Sequence, residues 1–113
     1  MRTNQIKLQD WKTQLDLISQ KLDNRNINLE VIGFDIGDQI LAKSVHLKGL
    51  TYDPKYNAVG IMSDDFEHHI RSPAEIYITS KGENIESIET IEIVDNKNRK
   101  QILSFDEPLL LSK

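Results

Sequence analysis

The densest group of chemically capable side chains is Asp64-Asp65-Phe66-Glu67-His68-His69. Imidazole and carboxylate together suit zinc, manganese or iron. On a strand, however, neighbouring side chains point to opposite faces, so His68 and His69 cannot reach one ion together. The third histidine, His46, is remote in sequence. No metal site is therefore expected. His69 falls on the polar phase with Glu67 and Arg71, whereas His68 shares the apolar phase of Phe66 and Ile70. The plain expectation for His68 is a partly buried imidazole hydrogen-bonded to backbone or to a carboxylate. The sharper one is a ligand-binding group.

A second cluster, Lys97, Arg99 and Lys100, gathers at one turn. A basic loop on a small barrel can hold RNA or single-stranded DNA, but such sites interleave bases with aromatic stacking platforms. Tyr52, Tyr56 and Tyr77 all lie elsewhere in the chain, and the net charge is −4, from 18 acidic and 14 basic residues. A solvated turn is the simpler reading, and nucleic acid is a secondary expectation.

Most catalytic chemistry is excluded by residue type. The chain has no cysteine, which removes thiolate nucleophiles, disulfides and Cys-based zinc sites. Its five glycines form neither a Gly-x-Gly-x-x-Gly turn nor a phosphate loop, and no Gly-x-Ser-x-Gly elbow exists. The carboxylates fall in turns or on polar strand phases, where nothing would shift their pKa for acid–base work. The expectation is a non-enzyme without a cofactor. The amino-terminal residues lack the apolar stretch of a secretory signal, and no apolar run is longer than the three residues of Leu109-Leu110-Leu111. A cytoplasmic protein with no membrane association is expected.

The elements that must carry these residues follow from periodicity. Leu8, Trp11, Leu15, Ile18 and Leu22 are spaced by three or four, which predicts one helix over about 8–23 with a single apolar stripe. Asn24 and Asn26 suit its end. From Ile27 to 111 the period is two, and 15 isoleucines against three alanines favour strands. The phase flips at Val31-Ile32 beside Gly33, predicting a bulge or a sharp strand bend there, with Ile32, Phe34 and Ile36 as the next apolar set. Gly37-Asp38 is expected to be a two-residue hairpin turn. A second flip is expected at Gly49, where Leu50 and Tyr52 take over from Val45 and Leu47. Ala74, Ile76 and Ile78 alternate cleanly with polar residues. Lys81-Gly82-Glu83-Asn84 is expected to turn, two strands over about 87–94 and 99–105 form a hairpin, and Leu109–Leu111 adds a short edge strand.

The whole chain, 1–113, is thus expected to be one α+β domain. An N-terminal helix packs on a strongly bent antiparallel sheet of about six strands that closes toward a small barrel. The order matches Sm-like and SH3-like barrels, an analogy of fold only.

Leu29-Glu30-Val31, Asp35-Ile36-Gly37-Asp38-Gln39, the run Leu47-Lys48-Gly49-Leu50-Thr51-Tyr52-Asp53-Pro54-Lys55 and His68-His69-Ile70-Arg71-Ser72-Pro73 together carry a resemblance. From Ile6 to about Phe105 the chain resembles a family of small bacterial proteins of unknown function, DUF5335. The resemblance implies domain limits and no activity. It directs attention to His68, Gly49, Asp53 and Gly37, and leaves His68, Asp53 and Tyr52 as candidate binding residues. The leading functional expectation is an interaction module that meets a protein partner or a second copy, as a homodimer, through a sheet edge or the helix stripe. The alternatives are a weak nucleic-acid binder using Lys97, Arg99 and Lys100, or a metal- or small-ligand-binding protein using His68.

Overall fold

The computed structural model describes residues 2–81 and 87–111. Strand β1 (Arg2–Ile6) leads through a 3-10 turn (Leu8–Asp10) into helix α1 (Trp11–Gln20). Seven strands follow: β2 (Asn26–Gly33), β3 (Gly37–Asp53), β4 (Ala58–Ser63), β5 (Glu67–Arg71), β6 (Pro73–Ser80), β7 (Ser87–Asp95) and β8 (Lys100–Leu110). They form one antiparallel sheet in the order β1-β6-β7-β8-β2-β3-β4-β5.

The α+β class stands, but there are eight strands rather than about six, and the barrel is not closed. No pairing joins β1 to β5 among the described residues, so the sheet stays open. The strand most completely missed is β1. Its Arg-Thr-Asn-Gln sequence has no apolar alternation, and only its pairing with β6, Arg2↔Ser80 through Ile6↔Ile76, makes it a strand. The expected terminal edge strand is instead the continuation of β8, with Leu109 opposite Ile88 and Leu110 opposite Ser87.

The helix is shorter than its periodicity suggests. Leu8 lies in the 3-10 turn and is 63% exposed, so it does not join the stripe. Trp11, Leu15, Ile18 and Leu22 are buried. They pack on β3, where the Leu50 N–H donates to Ser19 Oγ. The stripe expected to offer a meeting surface is consumed inside the domain. Asp23 and Asn24, both with positive φ, turn the chain out of the helix into β2.

β3 is the hinge of the architecture. Its first half pairs with β2, from Gly33↔Gly37 to Asn26↔His46, and its second half pairs with β4, from Leu47↔Ser63 to Asp53↔Ala58. A register shift between Leu47 and Gly49 accompanies the change of partner, at the expected flip. The bend lets β5 reach back toward β8: His68 on β5 touches Gln101 on β8. Between lie the fully buried Leu29, Leu47, Leu50, Ile61, Ile70, Ile91 and Leu103.

The β2–β3 hairpin departs from expectation in two ways. Its turn is Phe34-Asp35-Ile36, closed by the Ile36 N–H donating to the Gly33 carbonyl. Gly37 follows at φ +70°, the left-handed residue that returns a three-residue turn to the ladder. Gly37 thus serves the turn without being its centre, and Phe34, expected inside, stands fully exposed at the tip. No bulge lies at Val31-Ile32. The irregularity is on β3: Ile27↔Val45, Leu29↔Ala42 and Glu30↔Ile40 leave one extra β3 residue in each interval. Ser44, at φ 52°, occupies one of them and donates its N–H to Asn28 Oδ1.

In β6, Ile76 and Ile78 are buried, but Ala74 is exposed because a register shift lies between Pro73 and Glu75. The turn expected at Lys81–Asn84 lies, beyond Lys81, outside the described residues. Ser87–Asp95 is a strand, as read, with Ile88, Ile91 and Ile93 in the core. No helix among the described residues is long and apolar enough to cross a membrane.

Candidate functional site

His68 enters on β5, where alternation puts it on the same face as the fully buried Ile70 and leaves it half-buried near the start of the strand. Its Nε2 lies 2.5 Å from Oε1 of Gln101. A carbonyl oxygen only accepts, so Nε2 carries the hydrogen. Gln101 is buried at 6% exposure, and this bond supplies its oxygen with a partner that water cannot. The two residues sit in the wall of a concavity of about 470 Å³, with Val31, Ile36 and Leu41 as its apolar surface and Gln39 and Arg99 at its polar rim.

Arg99, from the basic turn, thereby comes to the same place as His68. Its guanidinium is already engaged by Asp35, with Nη2 donating to Oδ2 and Nε to Oδ1. That hydrogen bond holds the Asp35 carboxyl below its ordinary value and raises Arg99. Gly33 leaves room for the pair: a Cβ there would lie 2.9 Å from Asp35 Oδ1 and 3.0 Å from Arg99 Cγ. The clamp ties the β2–β3 turn to the β7–β8 turn. Asp95 organises the second turn, its Oδ1 accepting from the Lys97 and Arg99 backbone N–H groups. Lys97 adds its charge near Asp35, whereas Lys100 faces the other side of the sheet with Glu75, Tyr77 and Glu92. The three basic residues do not form one surface.

Tyr52 is buried. Its ring meets Trp11 edge-on at 5.2 Å, and its hydroxyl donates to Asn57 Oδ1. Asp53 is accessible but accepts the Lys55 N–H in the following turn. It borders a separate depression of about 450 Å³ with Tyr56, His69 and Arg71, away from His68. His69 is directed to Glu67, at 3.5 Å. His46 and Lys48 both approach Asp64, at 3.1 and 3.3 Å, and hold its carboxyl below the ordinary value, His46 more than Lys48. The Asp64–His69 run is thus dispersed in three directions. No group of three or more potential metal ligands occurs among the described residues.

What borders the concavity has no counterpart among the sequence-derived candidates. From Gly37 to Val45, β3 pairs with β2 on one side and with no strand on the other among the described residues. That stretch is almost continuously exposed, including Ile40 at 70% and Leu41 at 49%. Gln39 and Leu41 face the concavity, whereas Asp38 and Ile40 face outward beside Glu30. Side-chain hydrogen bonding to Asp38 first, then burial and the Asp38 charge, raises the Glu30 carboxyl. Gly37-Asp38 was expected to be a turn, so the strand that begins there was not read as an edge. That one edge lacked a neighbour depends on where β4 begins, which no local pattern records.

These features define a small α+β protein whose bent, open sheet leaves one strand edge bare beside a polar-rimmed concavity. The chain belongs to a family of unknown function (DUF5335), whose model matches residues 2–113. It is similar to an uncharacterized protein of Aquifex aeolicus (strain VF5), 36% identical over 104 residues that cover 91% of each chain. No solved structure matches.

Proposed function

We propose that this chain is a cytoplasmic, non-catalytic interaction module that takes up an extended protein segment along the Gly37–Val45 edge of β3. One observation carries the reading: an unpaired, exposed edge bearing Ile40 and Leu41 lies directly against the His68–Gln101 concavity. Backbone groups of an edge supply affinity, and a recess for alternate side chains supplies selectivity. A side chain of the bound segment that follows Leu41 inward enters a recess with apolar walls and amide, imidazole and guanidinium groups at its border. His68 serves such a site by fixing Gln101 and shaping the wall. The engagement of Arg99 by Asp35 argues against a phosphate contact there.

Affinity capture from a native lysate tests this, comparing the wild-type chain with the double variant Ile40→Lys/Leu41→Glu. Protein retained by the wild type, insensitive to nuclease and lost from the variant, is expected. Retention of nucleic acid alone, or protein retention indifferent to the variant, would refute it.

A further inference from the structure

The register irregularities of β3 have a specific effect on its free edge. Along β2, Asp38 lies opposite Ile32 and Ile40 opposite Glu30. Lys43 falls beside Asn28, since both border one shallow depression with Glu30 and Ile40. Ile32, Glu30 and Asn28 are evenly spaced on β2. Asp38 and Lys43 therefore flank Ile40 at equal distances along the ladder. Asp38 is on the outer face, because the ladder is regular from Ile32↔Asp38 to Glu30↔Ile40 and puts it on the same side as Ile40, and Lys43 is there too, because it shares the depression with Ile40. In a regular strand, Lys43 is three residues from Ile40 and on the opposite face. The extra residue in the Leu29–Glu30 interval brings it round.

The outer side of the edge thus reads negative, apolar, positive about a centre at Ile40. An antiparallel pair of identical strands has its two-fold axis perpendicular to the sheet, which keeps outer face with outer face and reverses the order. A pattern of this kind is complementary to itself. We propose that two copies of this chain pair antiparallel along Gly37–Val45, with Ile40 against Ile40 and Asp38 against Lys43 of the partner subunit, twice. The proposal rests on the edge-binding reading above and names its occupant. Two further features agree. The Glu30–Asp38 pair has no ion pair to a basic group among the described residues, and the partner's Lys43 brings one. The pairing also closes on itself, since each copy's bare stretch is covered by the other's, which gives a dimer and not a fibre.

Charge reversal tests the register. Sedimentation equilibrium across a concentration series is expected to show the 13.0 kDa chain doubling in mass. Lys43→Glu alone, or Asp38→Lys alone, sets like charges opposite each other twice and should weaken dimerisation about tenfold. The double variant Asp38→Lys/Lys43→Glu restores opposite charges and should restore the dimer. Because the chain has no cysteine, Ile40→Cys should cross-link to itself on oxidation, whereas Thr13→Cys on the exposed side of α1 should not. A wild type that stays monomeric throughout overturns the proposal. So does a dimer indifferent to the single reversals, or a double variant that fails to recover. If the wild type is monomeric while edge-dependent capture of other proteins persists, self-pairing falls and the edge-binding reading stands.

Discussion

Replacing His68 by leucine separates a shape role from a hydrogen-bonding one. Gln101 is 6% exposed, and its side-chain oxygen accepts from His68 Nε2. Without the imidazole, that amide loses a partner at a depth where water is a poor substitute. A buried polar group left unpaired costs about 1–3 kcal/mol. The converse change, Gln101→Leu, leaves a half-buried imidazole at the mouth of an open concavity, where solvent can take over the bond. Its cost should lie nearer about 0.5–1 kcal/mol, the net worth of one bond. The double change His68→Leu/Gln101→Leu removes donor and acceptor together and should cost less than the sum of the singles, with a coupling of about 1 kcal/mol. Urea denaturation reads all three. With a slope of about 1–3 kcal/mol per molar, His68→Leu should move the midpoint down by roughly 1 M, Gln101→Leu by less. Two results would sink the reasoning: Gln101→Leu costing more than His68→Leu, or a strictly additive double variant.

Two electrostatic predictions follow from the same hairpin. Glu30 is raised by its carboxyl neighbour. Its contribution is therefore fully present below the ordinary glutamate pKa of 4.5 and is lost as pH rises through the higher folded value. Glu30→Gln should gain stability relative to wild type above that window and match it below; thermal melts of dilute protein at pH 4 and pH 7 check the sign. Asp35 is lowered chiefly by Arg99, so its contribution is present above the ordinary aspartate value of 3.8 and fades as pH falls through the lower folded one. Arg99→Gln should raise the Asp35 titration midpoint, followed by carboxyl-carbon NMR; an unmoved midpoint would show that the clamp does not form in solution.

What the sequence disclosed, and what it withheld, divides along physical lines. Trp11, Leu15, Ile18 and Leu22 announced their buried stripe because helical periodicity is a local signal. Gly49 was readable for a similar reason, since a change of apolar phase leaves a trace in the residues on either side. Leu8 misled because it continues the spacing into a 3-10 turn, whose geometry rotates it away from the sheet. β1 gave no trace at all, because an edge strand whose only apolar residue is its last, Ile6, is specified by its neighbour and not by its own alternation. The turn was displaced because the left-handed glycine that marks a hairpin follows the turn in this three-residue type. His68 was read as partly buried, with a backbone or carboxylate partner; it is half-buried, but its partner is an amide that lies 33 residues away, across the fold. Arg99 and Asp35 are 64 residues apart, so the basic turn could not be seen to be partly neutralised.

Chain order and sheet order disagree in one respect that bears on synthesis. β2 through β5 are neighbours in sequence and in the sheet, so they can assemble as they leave the ribosome. The other side of β2, however, belongs to β8, from Ile27↔Phe105 to Ile32↔Lys100. Until β8 is made, the growing chain carries a second bare edge with Ile27, Leu29 and Val31 uncovered by it. β8 also pairs with β7, and through β7 and β6 it brings β1 into the sheet. One late strand therefore joins two otherwise separate sets of strands, and losing it removes the seam between them rather than trimming an end.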